Sequence, residues 1–227
     1  MKKLKRSTVL TAVVAVGLLA GVGMYVYDLN TKPIVQNQQR SHNAATASEG
    51  SESQFADLEA QYAAMKGEEY DKAFIAEMIA HHQGAVSMAY LARNEAQHQE
   101  LKDMSQEIID AQMQEIRDME AWKKEWGYST ASQGSGVMAG MDHGNGEMEE
   151  MMAAMTKELS ELSGDEFDEA FLKLMIEHHQ SAVAMARPGA ENAERQELRD
   201  LTIAIVAAQE REIAQMQQWQ RDWGYAN

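Results

Sequence analysis

Two adjacent histidines, His81 and His82, stand in the string M-I-x-H-H-Q-x-A-V-x-M-A that runs from Met78 to Ala89. The same string returns from Met175 to Ala186 around His178 and His179. Imidazole nitrogen and thioether sulfur are the ligands a soft cation takes where thiolate is absent, and this 227-residue chain has no cysteine. Met78 and Met88 accompany the first pair, Met175 and Met185 the second. Neighbouring residues on a helix point about 100° apart, so His81 and His82 do not chelate one ion as an i, i+4 pair would. Met78 lies one turn from both imidazoles and can approach either. Binding of a metal ion is the chemistry this pattern offers.

A second source of soft ligands lies between the two strings. Met138, Met141 and His143 sit in M-A-G-M-D-H-G, among glycines where a methionine has no apolar face to fill. Met148, Met151, Met152 and Met155 follow, and these serve equally well as the core face of a helix, since Met fills irregular cores readily. Thioether and imidazole together suit Cu(I) better than Cu(II). The segment resembles the Met/His-rich repeats of exported copper-resistance proteins.

The elements that must position these residues follow from periodicity. Shifting the chain by 97 residues lays Asp71–Tyr128 over Asp168–Tyr225 without a gap and with nearly half the positions identical, closing on W-x-x-x-W-G-Y in both copies. Such long-period self-similarity marks a duplicated unit. In the first copy Phe74, Met78, His81, Ala85 and Met88 form one apolar stripe, and Ile75, Ile79, His82, Val86 and Ala89 form a second beside it. A helix with so wide a face is packed on two sides. After a polar break at Arg93–Gln97, a second helical pattern runs from Leu101 to Trp126 and stops at Gly127. Antiparallel folding about residues 94–96 brings His81 near Ile108–Gln112, and Met78 near Gln112 and Glu115. These polar residues recur as Gln209 and Glu212 on what should be a buried seam. Pro188 and Gly189 mark the corresponding turn of the second copy.

The expected fold is all-α: a four-helix bundle built from two tandem helical hairpins. Four helices could come from one pair in each repeat of a single chain, or each repeat could dimerise. Residues 1–29 form a signal or anchor segment, 30–54 a flexible spacer, 55–128 the first repeat, 129–147 a Met/Gly-rich linker and 148–227 the second repeat. Short helices are expected at Phe55–Met65 and Glu149–Leu162. Lys2, Lys3, Lys5 and Arg6 precede an uncharged run from Ser7 to Tyr27, the pattern of an export signal. Its length approaches that of a bilayer span, so an anchor in the cytoplasmic membrane is favoured over a cleaved peptide. The rest of the chain is expected to work outside the cytoplasm, touching the membrane through this segment alone.

Charge excludes several classes. The chain carries −16 at neutral pH, and the body beyond the four basic N-terminal residues is near −20. Such a surface repels nucleic acid and anionic lipid and attracts cations. There is no nucleophilic triad, no phosphate-cradling glycine loop and no basic face, so no enzymatic activity is expected. Glu95 and His98 have the E-x-x-H spacing of di-iron bundles, but Asn192 and Arg195 replace them in the second repeat.

At M-I-x-H-H, with Phe four residues before the Met and M-A after it, the chain resembles the domain of unknown function 305 family. The resemblance covers Tyr62–Tyr128 and Leu159–Tyr225, closing W-G-Y included. It implies a ferritin-like four-helix bundle in exported bacterial proteins, some associated with copper binding and copper tolerance, and it implies no established reaction. His81, His82, Met78, Met88, His178, His179, Met175 and Met185 all match the motif. The expectation from all these features is an exported protein that sequesters or relays copper, with metal ions and another copper-handling protein as partners. Gln112, Glu115, Gln209 and Glu212 would be ligands or groups that orient them. Two alternatives stay open. A ferritin-like oxidase would need several inward carboxylates per site. A structural or interaction module would use its histidines only to set the core's register.

Overall fold

The computed structural model describes residues 53–128 and 155–225, together with two short pieces nearer the N-terminus, and the chain divides into units at 1–49 and 50–227. In the first unit Val13–Val14 (β1) and Tyr25–Val26 (β2) pair antiparallel, Val13 opposite Val26. The remainder of the expected anchor at residues 7–27 lies outside the described residues. Among those described, no helix is long and apolar enough to cross a membrane.

The second unit is helical. A short helix at residues 53–64 (α1) precedes Glu68–Glu95 (α2) and Gln99–Glu125 (α3). Residues 155–160 (α4) then lead into Gly164–Ala186 (α5), the single turn Gly189–Asn192 (α6) and Gln196–Asp222 (α7). The helix expected at Glu149–Leu162 is described only from residue 155. α6 was not expected; it forms beyond Pro188, where α5 stops short of the position at which α2 ends in the first repeat. Gly189 is required in it, because a Cβ there would meet Thr202 and the Tyr70 hydroxyl at 2.5 Å.

The closing W-G-Y is a helix terminator. Gly127 has φ 72° and Gly224 φ 80°. Beyond them the Tyr128 N–H donates to the Lys123 carbonyl at 2.9 Å and the Tyr225 N–H to the Gln220 carbonyl at 2.8 Å. A left-handed residue followed by a bond back to the last full turn satisfies carbonyls that the helix end would leave open. The tryptophans before each glycine stack on one another, with ring centroids 5.4 Å apart for Trp122–Trp126 and 5.2 Å for Trp219–Trp223. They pack the bundle ends.

α2 packs on α3, α5 on α7, and α2 on α5. The two repeats therefore fold against each other within one chain, which settles the choice the sequence left open. Buried Asp71, in the first turn of α2, accepts from the Glu194 N–H at 2.9 Å and the Arg195 N–H at 3.2 Å, at the start of α7. Buried Asp168, one turn into α5, accepts from the Gln97 and His98 N–H groups at 2.9 and 3.0 Å, at the start of α3. Each repeat thus caps a helix of the other. The bonded N–H groups sit at and just before each helix's N-cap, where no carbonyl of the same helix can reach them. Parallel bridges Gly67–Ala193 and Ala96–Gly164 flank the two caps.

This reciprocal arrangement gives two apolar clusters. One joins Tyr70, Phe74, Ile75 and Met78 of α2 to Met185 of α5 and to Leu198 and Ile205 of α7. The other joins Met88 and Ala92 of α2 to Leu101 and Ile108 of α3 and to Phe167, Phe171 and Met175 of α5. Between them, where α2 and α5 meet, lie the histidines.

Candidate metal centre

All four histidines are buried, His82 and His179 completely and His81 and His178 to 3% and 4% residual exposure. They sit at mid-helix because the apolar stripes on either side of them turn the same faces inward. The rings of His81 and His178 meet across the α2–α5 contact with centroids 3.6 Å apart and planes inclined at 42°. His82 and His179 stand 6.4 and 6.3 Å from their neighbours in sequence, each turned toward the partner helix of its own hairpin. The result is one polar layer between two apolar halves.

Each ring's hydrogen bonds decide which nitrogen can bind an ion. His82 Nε2 lies 2.7 Å from Glu115 Oε2 and His179 Nε2 lies 2.6 Å from Glu212 Oε2. A carboxylate only accepts, so Nε2 carries a proton, and in the neutral ring the lone pair is on Nδ1. This orientation of an imidazole by a carboxylate is what metal-ligating histidines use. His81 Nε2 lies 2.7 Å from Ser181 Oγ. The Nδ1 atoms of His81, His82 and His179, both nitrogens of His178, and Oε1 of Gln112 and Gln209 are buried with no hydrogen-bond partner among the described residues. The His81 and His178 rings each lean toward the other residue's backbone carbonyl, and for His178 this does not reach hydrogen-bond geometry.

Buried polar atoms in native proteins are nearly always paired, so this concentration of unpaired ones demands an explanation. Burial, reinforced by the neighbouring histidines, pushes the His81 and His178 imidazoles well below their usual pKa. Both are neutral at neutral pH, and no proton competes for their lone pairs. Glu115 and Glu212 are 19% and 23% exposed and so link the layer to solvent.

The sequence-identified methionines border this layer from both sides. Met78 and Met175 are fully buried one helical turn before the histidines; Met88 and Met185 lie two turns beyond them. Met78 shares its cluster with Met185, and Met88 with Met175, so each apolar half presents a thioether from both repeats. Met138, Met141 and His143 lie outside the described residues. Among the described residues no three His, Asp or Glu side chains converge as a metal-holding group. A carboxylate-rich di-metal centre is therefore not built there, whereas sites of low coordination number from one imidazole and a thioether are compatible with the layer. His98 is accounted for otherwise: its Nδ1 bonds Asp168 Oδ2 at 2.7 Å and its ring stacks on Trp223 at 3.8 Å. Arg195 stands in the same place against Trp126, so the E-x-x-H spacing has a structural cause.

Sequence reasoning missed Ser181 and Gly84, which occupy the same position of the two repeats. The signal was available, as one of the few places where the repeated string varies beside the histidines. Asp71 and Asp168 were seen only as the start of the repeat, because nothing local reveals a cap donated to another repeat's helix.

Fold and site together define a duplicated helical bundle with a buried histidine layer flanked by methionines. The model of the domain of unknown function DUF305 matches residues 27–122 and 71–220, and the chain belongs to that family. No curated protein matches. Among solved structures, the chain is 35% identical to CopM in a Cu(II)-bound form, over 70% of this chain and 99% of that one, with a TM-score of 0.54. CopM in a Cu(I)-bound form is 33% identical over 67% and 96%, with a TM-score of 0.53. A DUF305 protein from Streptomyces coelicolor, described as secreted, is 28% identical over 68% and 92%, with a TM-score of 0.57.

Proposed function

We propose that this chain is an exported copper-binding protein that sequesters copper or relays it to another copper-handling protein, with Cu(I) favoured over Cu(II). The observation that carries the reading is the buried layer in which four imidazoles keep unpartnered ring nitrogens beside buried thioethers, in a chain without cysteine. Neutral imidazole and thioether prefer a soft cation. The copper-bound forms of CopM, at over 30% identity, support the same chemistry. His81, His82, His178 and His179 are the proposed ligands, with Met78, Met88, Met175 and Met185 as thioether donors. Glu115 and Glu212 hold imidazole tautomers, and Gln112 and Gln209 add carbonyl oxygens at the same level. Binding, not a reaction, is the proposed activity.

Met138, Met141 and His143 are proposed as a weaker, faster-exchanging set, since ordering flexible side chains opposes binding. Export rests on the basic residues and apolar run at the N-terminus, with the Streptomyces relative as support. Anchoring through residues 7–27 is part of the same proposal.

The test is titration of Cu(I) against a competing chelator. Changing His81, His82, His178 and His179 together to alanine should remove the tightest sites and leave weak ones. Deleting Val137–Met148 should slow uptake and leave the tightest sites in place. Unchanged affinity and stoichiometry in the histidine variant, or loss of the tightest copper with the linker, would overturn the assignment.

A further inference from the structure

The two repeats match at His82–Glu115 and His179–Glu212, 2.7 and 2.6 Å, yet His81 and His178 are not equivalently held. Ser181 Oγ lies 2.7 Å from the His178 carbonyl of its own helix and 2.7 Å from His81 Nε2 of the other repeat. A hydroxyl has one proton. It is donated to the carbonyl, a common bond for a helical serine, because a carbonyl cannot donate. Toward His81 the oxygen can then only accept. His81 must carry its proton on Nε2 and present the Nδ1 lone pair, which is unpartnered.

The position that would do the same for His178 is Gly84, which has no side chain. That is the physical cause of an otherwise odd asymmetry: His178 is the histidine of the layer with both ring nitrogens unpartnered, though it is 4% exposed. Three imidazoles are thus held with Nε2–H fixed and Nδ1 open, two by carboxylates and one by a hydroxyl. The fourth has only a lean toward the His81 carbonyl, short of a hydrogen bond, and no side chain fixes its tautomer.

We infer that Ser181 is a positioning residue for metal binding, which it exerts across the repeat boundary by fixing His81 as an Nδ1 donor, and that Gly84 leaves His178 the weaker ligand. A soft cation is taken first on the His81 side and only later on the His178 side. A fixed tautomer and ring direction remove part of the ordering a ligand undergoes on binding, and losing such a partner typically weakens metal affinity about 10–100-fold. Duplication thereby yields two unequal sites, suited to holding one ion firmly and passing a second on. This rests on the copper-binding reading above.

Ser181→Ala separates the two, since alanine is a better helix former than serine and leaves the four histidines in place. The full chain, wild type and variant, is titrated with Ag(I) alone. Beyond the weak linker set, wild type should show two tighter affinity classes from the histidine layer, and the variant should weaken the tightest by about tenfold, bringing it toward the second. In the same metal-free samples, the ¹⁵N signals of the His81 ring should report the Nε2–H tautomer in wild type and a mixture in the variant. Failure of either readout to move overturns the positioning role. Ag(I) binding that is also indifferent to removal of all four histidines would show instead that the layer is not the site, and the inference falls with it.

Discussion

A variant carrying leucine at both His81 and His178 is expected to be more stable than wild type without metal, by about 2 kcal/mol or more, and to lose the tightest copper. The three unpartnered nitrogens on these rings are buried, and each unsatisfied buried polar group costs about 1–3 kcal/mol relative to its solvated form. Leucine is close to imidazole in volume and joins the apolar clusters above and below the layer. Ser181 loses a partner but keeps its bond to the His178 backbone carbonyl. Binding sites commonly carry such a sacrifice of stability. Chemical denaturation and Cu(I) competition on the same samples check it. If the histidines exist to set the register of the bundle, the variant will unfold at lower denaturant or lose its cooperative transition.

The second large effect is on acid stability. Burial holds His81 and His178 well below their usual pKa in the folded protein, while in the unfolded chain they titrate near 6.5. The folded value is the depressed one, so the unfolded state binds more protons as pH falls. Stability is fully present above about pH 6.5 and falls below it, until the folded-state pKa values are reached. Each group contributes about 1.4 kcal/mol per pH unit, so the pair should remove about 3 kcal/mol per unit. The groups facing them across the layer are His82 and His179, each bonded to a glutamate. Urea midpoints of metal-free protein at pH 7.5, 6.5 and 5.5 should drop at the lowest value, and the drop should shrink in the double leucine variant. Identical slopes in the two proteins would contradict this account of the buried pair.

Much of this was legible in the residues. The 3.6-residue stripes through Phe74 and Met78 placed the long helices, and folding the hairpin about residues 94–96 brought Glu115 near Met78, one turn from the His82 it bonds. Glycine after the final tryptophan marked both helix ends. What the residues could not give was the relation between repeats. An apolar face on α2 is satisfied equally by α5 of the same chain or by a second molecule. The aspartates that decide it, Asp71 and Asp168, look in sequence like ordinary acidic residues near a helix start. The ring contact between His81 and His178 follows from that packing and was hidden with it. So was the role of Ser181, whose partner lies a full repeat away.

The measurement that bears most directly on the central claim is anomalous diffraction from crystals of the full chain soaked with Ag(I). The account predicts a strong peak inside the bundle, in the layer of His81, His82, His178 and His179, beside an Nδ1 atom and close to a thioether of Met78 or Met175. Peaks confined to Met138, Met141 and His143, or to surface carboxylates, with the histidine layer unchanged and empty, would contradict it.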